Sequence, residues 1–199
     1  MKKVKLLIVQ LFSLALAGCF SAVTLPQKQL YTLSPNKLNL KKYQRSHKTL
    51  LVIPVQASDS VDKEKMAYVK QPYQLSYFSD HAWAAEPADQ ITGLITNALR
   101  QSNYFKAVAT SPFTGTTDLK LSTHLYVLQQ NFLYNPSQEQ LKLSAQLINT
   151  TSGKVIAGKV FYYSIKAHSN NPYGGVVAAN QAVKLMLQDL TGFVVRQAY

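Results

Sequence analysis

Cysteine, carboxylates and catalytic motifs are all scarce in these 199 residues. The single cysteine, Cys19, excludes an intramolecular disulfide, and without a CxxC pair there is no dithiol redox site or thiolate zinc cluster. Only 9 Asp and Glu stand against 21 Lys and Arg, which leaves a net charge of +12 and makes paired-carboxylate chemistry hard to build. The four histidines, His47, His81, His124 and His168, are far apart and form no HExxH pair. There is no GxSxG elbow and no Walker loop. Gly174-Gly175, before a helical stretch, reads as a hinge or cap rather than a phosphate cradle. Asp80, His81 and Glu86 form the one titratable cluster and read as a surface loop. No catalytic residue, metal ligand or bound cofactor is expected, and the chain is not expected to be an enzyme.

A run of about 20 apolar residues, which a membrane-spanning helix requires, is also missing. What stands near the start is shorter. Lys2, Lys3 and Lys5 lead into a 12-residue stretch, Leu6 to Ala17, interrupted only by Gln10 and Ser13 and closed by small residues. A basic start, a short apolar run and a small-residue exit describe a secretory signal peptide over residues 1–18. Leu16-Ala17-Gly18-Cys19 resembles the bacterial lipobox. That resemblance implies cleavage before Cys19, acylation of its thiol and amine, and a covalent lipid in place of any cofactor. Two or more acyl chains hold a protein stably on a membrane, because each buried methylene contributes about 0.8 kcal/mol. Phe20, rather than Asp, after the cysteine favours the bacterial outer membrane, with the protein facing the periplasm. Loss of residues 1–18 takes three lysines and lowers the net charge to +9. Export excludes nucleic acid, so the basic balance suits an anionic lipid surface, an acidic partner or simply a solubilising surface.

Residues 19–28 read as a tether, and 29–199 as a single domain large enough to bury a core without disulfides. The stretch 35–48, with Lys37, Lys41, Lys42, Arg45 and Lys48, reads as a solvated linker in preference to a lipid-touching segment. Strand-rich runs follow at 29–33, 49–55, 66–69 and 73–79. Leu119, Leu121, Thr123, Leu125 and Val127 alternate with Lys120, Ser122 and His124, and the pattern returns from Leu141 to Leu147 and from Phe161 to Ala167. Period-two alternation with turns at 135–138 and 149–154 predicts a three-stranded meander over 118–167. Pro87 opens one helix, with Ile91, Leu94, Ile95, Ala98 and Leu99 at helical spacing and Asp89 suited to its first turn. A second helix is predicted over 173–196, with Ala179, Val183, Met186, Leu187, Leu190 and Phe193 on one stripe. The expected fold is α+β, a mainly antiparallel sheet with two amphipathic helices packed on it.

Residues 66–99, MAYVKQPYQLSYFSDHAWAAEPADQITGLITNAL, carry a specific likeness. With the lipobox, Tyr31-Thr32-Leu33 and the strand from Leu50 to Pro54, they resemble the ABC-type transport auxiliary lipoproteins, the PqiC-like family. The shared features are a tyrosine-rich hairpin (Tyr68, Tyr73, Tyr77), a tryptophan (Trp83), an acidic and proline step (Glu86, Pro87) and a helix. Glu86 stands where the family often carries the first of two prolines, and His81 where a smaller polar residue is expected. The resemblance implies an outer-membrane, non-catalytic subunit of an MCE-type ABC system for lipid traffic between membranes, docking the MCE-domain protein and forming a homo-oligomeric ring to match it. Tyr68, Tyr73, Tyr77, Phe78 and Trp83 are the candidate partner-interface residues, since aromatics bury much area at low rotamer cost. For Trp83 and Tyr77 a structural role outweighs a partner contact. The other reading is a stand-alone envelope lipoprotein that carries a lipid, which needs an apolar cavity, or that scaffolds envelope assembly.

Overall fold

The computed structural model describes residues 27–199. The signal peptide, Cys19 and all of the tether but Gln27 and Lys28 lie outside the described residues. One long strand, β7 (Leu119–Asn131), organises the sheet. Its alternation buries Leu119, Leu121, Thr123 and Leu125, and then an irregularity between Leu125 and Val127 shifts the phase. Leu128 and Gln130 therefore also face the core. β8 (Gln138–Asn149) pairs antiparallel with β7, and β9 (Val155–Lys166) with β8, so the expected meander is present.

The other side of β7 departs from expectation. Three short strands follow one another along it, all parallel to it: β2 (Thr49–Val52), β3 (Gln56–Ala57) and β4 (Lys65–Gln71). Beyond β2 lies β6 (Ala107–Thr110), also parallel. Beyond β4 comes β5 (Gln74–Trp83), antiparallel to it, and β1 (Gln29–Tyr31) runs parallel to β5. The sheet, nine-stranded among the described residues, is thus mixed rather than mainly antiparallel, although its longest ladders are antiparallel. Periodicity reveals that a segment is a strand and says nothing of its partner's direction. Here the direction is set by crossovers that bring distant segments back along β7. Asp118 pins one of them: its Oδ2 accepts from the Thr49 N–H and hydroxyl, each at 2.7 Å, where β2 meets β7. Those bonds hold the Asp118 carboxyl below its usual range.

Two helices cover one face of the sheet. Helix α1 (Pro87–Gln101) begins at a proline whose missing N–H costs nothing there, and Asp89 lies in its first turn. Ala88, Ile91, Ile95, Ala98 and Leu99 are its buried stripe. It stops where the Ser102 hydroxyl donates to the Leu99 carbonyl (2.6 Å) and Asn103 turns left-handed (φ 53°). Helix α2 (Pro172–Gln197) is capped by Asn171, whose side chain accepts the Gly174 N–H at 2.8 Å. Gly174 and Gly175 belong to its first turn rather than to a hinge or cap before it. A Cβ on Gly174 would lie 2.2 Å from the Ser169 carbonyl oxygen, and one on Gly175 would lie 2.5 Å from Gln130 Oε1. Glycine at these two positions leaves room for the Ser169 backbone and for the Gln130 side chain of β7. Leu121, Leu125, Leu141, Leu143, Ile91, Ile95, Met186 and Leu187 are fully buried in one cluster, each side chain contributing about 1.5–3 kcal/mol.

The basic stretch 35–48 is not a solvated linker. It belongs to an irregular strap, residues 32–48, laid over both helices. The Leu33 N–H donates to Gln90 Oε1 (2.8 Å) and the Ser34 N–H to Asn180 Oδ1 (2.6 Å). Asn180 Nδ2 reaches back to the Thr32 carbonyl (3.2 Å), and Gln188 Nε2 donates to the Asn39 carbonyl (2.9 Å). Tyr43 meets Tyr104 edge-on at 6.3 Å. Lys37, Lys41 and Lys42 remain on the outer side, which is why the strap looks like a linker in sequence, while half-buried Lys48 donates its Nζ to the Ala198 carbonyl. Asn180→Ala removes both ends of the Thr32–Ser34 clamp, and we expect a loss of about 1–2 kcal/mol in chemical denaturation, with amide exchange accelerating at Ser34.

Candidate functional site

The five aromatics singled out in sequence go to three different places. β4 and β5 form a hairpin turning through Pro72 and Tyr73, and Tyr73 adopts a left-handed backbone (φ 66°) with its side chain fully exposed. Tyr68 on β4 and Phe78 on β5 stack at 4.5 Å between centroids. Tyr77 points the other way; its hydroxyl donates to the Ser60 carbonyl (3.1 Å) and its ring receives Lys65 Nζ at 5.7 Å. Trp83 is 2% exposed, packed in the core where β5 ends, with its backbone N–H donating to the Glu64 carbonyl (2.7 Å).

Tyr68 and Phe78 are part of something larger. Phe132 stands edge-on to both, at 6.1 and 6.4 Å. From Phe78 the rings continue to His81 (5.9 Å), from His81 to Tyr31 (5.8 Å), from Tyr31 to Tyr173 (6.3 Å) and from Tyr173 to His168 (6.2 Å). This is a continuous ledge of seven rings running from the end of β7, across β4, β5 and β1, to the start of α2. Lys70 Nζ lies 5.2 Å from the Tyr68 ring and 5.7 Å from Phe132, a cation over the ledge's outer end. Tyr31 anchors the middle: its hydroxyl donates to Gln29 Oε1 (2.7 Å) and lies 3.3 Å from His81 Nδ1. Burial, reinforced by the charge of Asp80, raises the Tyr31 phenol above its usual range, so the ring stays neutral.

Asp80 and His81 sit on β5, with 3.7 Å between Asp80 Oδ1 and His81 Nε2, and not on a surface loop. The hairpin strand runs on to Trp83 because β5 carries extra residues opposite β4: Lys65 pairs with Ala82, yet Ala67 pairs with Tyr77. Phe132, His168 and Tyr173 carry no linear signal of membership. They join the ledge because Tyr68 pairs with Gln130 in the parallel β4–β7 ladder and because α2 starts beside β1.

Behind the ledge lies a buried acid. Glu139 on β8 faces the core beside Gln130, its ladder partner, and burial pushes its carboxyl well above the normal range. Gln130 donates to Ser137 Oγ (2.9 Å) and to the Asn171 carbonyl (3.1 Å), while its Oε1 has no partner among the described residues.

Two clefts open between the strap and the helices. One, about 530 Å³, is lined by residues including Leu38, Lys41, Tyr43 and Asn103; the other, about 620 Å³, by Ser34, Tyr173, Asn180 and Lys184 among others. The first is walled mainly by polar groups, the second more by apolar ones, with Val176, Val177 and Leu185 in its lining, and both open to solvent. Among the described residues, no group of three His, Cys, Asp or Glu side chains could hold a metal ion, and no helix is long and apolar enough to cross a membrane.

A family model described as the ABC-type transport auxiliary lipoprotein component matches residues 31–191. A crystal structure of a protein from Xanthomonas campestris, 18% identical, superposes with a TM-score of 0.79 over 85% of this chain and 96% of that one. A second crystal structure, of an uncharacterized protein 14% identical, gives 0.66 over 84% and 99%. At such identities the two establish a shared fold. No curated protein matches the sequence.

Proposed function

Because the chain belongs to the family of ABC-type transport auxiliary lipoprotein components, we propose that it is the outer-membrane, non-catalytic subunit of an MCE-type ABC system that moves phospholipid between membranes, docking the MCE-domain protein on the aromatic ledge. The observation that carries this reading is the ledge itself, a row of rings that the fold sets side by side from Phe132 across β4, β5 and β1 to the start of the second helix. Aromatic rings held this way bury large area with little entropy to lose, which is what a binding hot spot needs. Acylated Cys19 holds the protein to the membrane while the domain faces the periplasm. Assembly of several copies into a ring follows from the same family likeness. Both clefts lie open to solvent, which favours a docking module over a stand-alone lipid carrier, whose cargo needs an enclosed apolar site.

The test is affinity purification from detergent-solubilised membranes of the wild type, of Cys19→Ala and of the double variant Tyr68→Ser/Phe78→Ser, with partners identified by mass spectrometry. The wild type is expected to retain the MCE-domain protein and Cys19→Ala to leave the membrane fraction. The ledge variant, if folded by circular dichroism, is expected to bind at least about tenfold more weakly, while Tyr126→Ser on the open sheet face changes nothing. A folded ledge variant with undiminished partner recovery sinks the docking assignment. An acylated wild type that retains no such partner but extracts with phospholipid moves the function to lipid carriage.

A further inference from the structure

Two hairpin tips leave the sheet in the same direction. β4 runs into the Gln71–Gln74 turn and β7 into the turn over 132–137; Val69 pairs with Asn131 in parallel register, and the Phe132 N–H donates to the Val69 carbonyl at 2.8 Å. The chain after β9 ends at the same place, since Ala167 donates to the Ser137 carbonyl (2.8 Å) and Asn170 Nδ2 to Asn135 Oδ1 (3.1 Å). At this end the tips are apolar and bare: Tyr73 is 108% exposed, Leu133 48%, Tyr134 49% and Leu75 38%. Tyr73 is the sharpest case. A tyrosine in the left-handed region strains the backbone, and this one gains no packing in return.

Charge at this end has one sign. Residues 27–33, 66–77, 129–138 and 166–177 contain no Asp or Glu, while Lys28, Lys70 and Lys166 lie among them. The N-terminus comes from this side as well. β1 runs parallel to β5 with Gln29 opposite His81, so the chain before Gln29 lies on the side of the Gln71–Gln74 turn. Cys19 precedes Gln27 by eight residues, a reach of about 26–29 Å, whereas Gln27 stands level with Ser79, only about 17 Å along β5 from that turn.

We propose that this end of the domain, through Tyr73, Leu133 and Tyr134 with Lys70 beside them, docks on a lipid surface bearing anionic headgroups and fixes the orientation of the domain on its membrane. Tyrosine rings suit the headgroup boundary because one edge is apolar and the other polar, and lysines suit the phosphates just outside it. With the tips in the membrane, the ledge rises from the lipid surface, beginning at Phe132 beside the tips, where a periplasmic partner reaches it. The placement of the membrane at this end rests on the lipid-anchor reading of Cys19; the apolar, acid-free tips stand without it.

The test uses the full chain purified from membranes and reconstituted into phosphatidylethanolamine–phosphatidylglycerol vesicles with acyl chains brominated near the headgroup. Tyr73→Trp and Tyr199→Trp are compared, each over the constant background of buried Trp83. The tryptophan at 73 is expected to shift to the blue and lose most of its emission to bromine, increasingly so with phosphatidylglycerol content. The tryptophan at 199 is expected to keep its emission. Unquenched emission at 73 in vesicles that carry the protein overturns the proposal. So does a blue shift without quenching, which means that a second copy or another protein covers the tip. Protein that lacks an acyl group by mass yet floats with vesicles and is quenched at 73 supports the tips and sinks the Cys19 anchor. Protein that lacks the acyl group and does not float overturns both.

Discussion

Replacing Trp83 with alanine is expected to destabilise the domain by about 3–5 kcal/mol, the usual cost of emptying a buried indole site. For a chain of this length that corresponds to a fall in Tm of about 2–4 °C per kcal/mol, followed by far-UV circular dichroism because the only tryptophan is gone. The cause is position. Trp83 ends β5 at the point where β1, β4 and α1 converge, and its ring joins the cluster formed by Leu33, Met66 and Ile91. Removal leaves a cavity in this close-packed cluster, and the side chains around it relax only partly to fill it. Tyr73→Ser, by contrast, is expected to stay within about 0.5 kcal/mol of wild type, since the ring touches nothing. Any loss of partner binding in Trp83→Ala therefore reports unfolding, whereas Tyr68 and Phe78 report the ledge. A Trp83→Ala protein with wild-type denaturation would show that the indole is not part of the core.

Glu139→Gln is expected to stabilise the protein at pH 7, by about 1–3 kcal/mol, the range for relieving a badly placed buried polar group. Burial alone raises the Glu139 carboxyl, and among the described residues no lysine or arginine pairs with it. The unfolded chain releases this proton near 4.5, the ordinary value, whereas the folded chain keeps it to higher pH. The stability that Glu139 supports is thus complete below about 4.5 and declines as pH rises toward its folded value. Glutamine keeps the shape, cannot ionise, and offers an amide donor to Gln130 Oε1, which lacks one. Denaturation midpoints measured from pH 4 to pH 9 should fall with pH for the wild type more steeply than for the variant. Parallel curves would mean that Glu139 does not hold its proton on folding. Because Glu139 neighbours Gln130, and Gln130 sits against the glycine-bound start of α2, ionising it strains the same corner that holds Tyr173 on the ledge.

Much of this architecture is legible along the chain. The meander from Leu119 to Lys166 follows from alternation, because a half-buried strand must present every second side chain to the core, although the shift of phase after Leu125 does not show in the pattern. Both helices follow from the spacing of Ile91, Ile95 and Leu99, and of Val183, Met186 and Leu190, with prolines marking their starts. The family likeness carried by residues 66–99 is matched by the family model over 31–191. The strap looks like a linker because polar side chains dominate it, while it is fastened by its own backbone groups, bonded to the side chains of Gln90, Asn180 and Gln188.

Local pattern alone determines that this chain makes strands here and helices there, that its core is Leu-rich, and that its first residues resemble a lipobox. These are properties of side-chain order, and they need no distant partner. Tertiary structure decided the rest. Parallel pairing of β4 with β7 brought Phe132 to Tyr68, and the landing of α2 beside β1 brought Tyr173 to Tyr31. Alternation along β5 separates Tyr77 from Phe78, and the irregular β4–β5 ladder carries the strand on to Trp83 in the core. A row of aromatics in sequence does not reveal which are exposed, because exposure depends on what the opposite strand and the covering helix place against each ring.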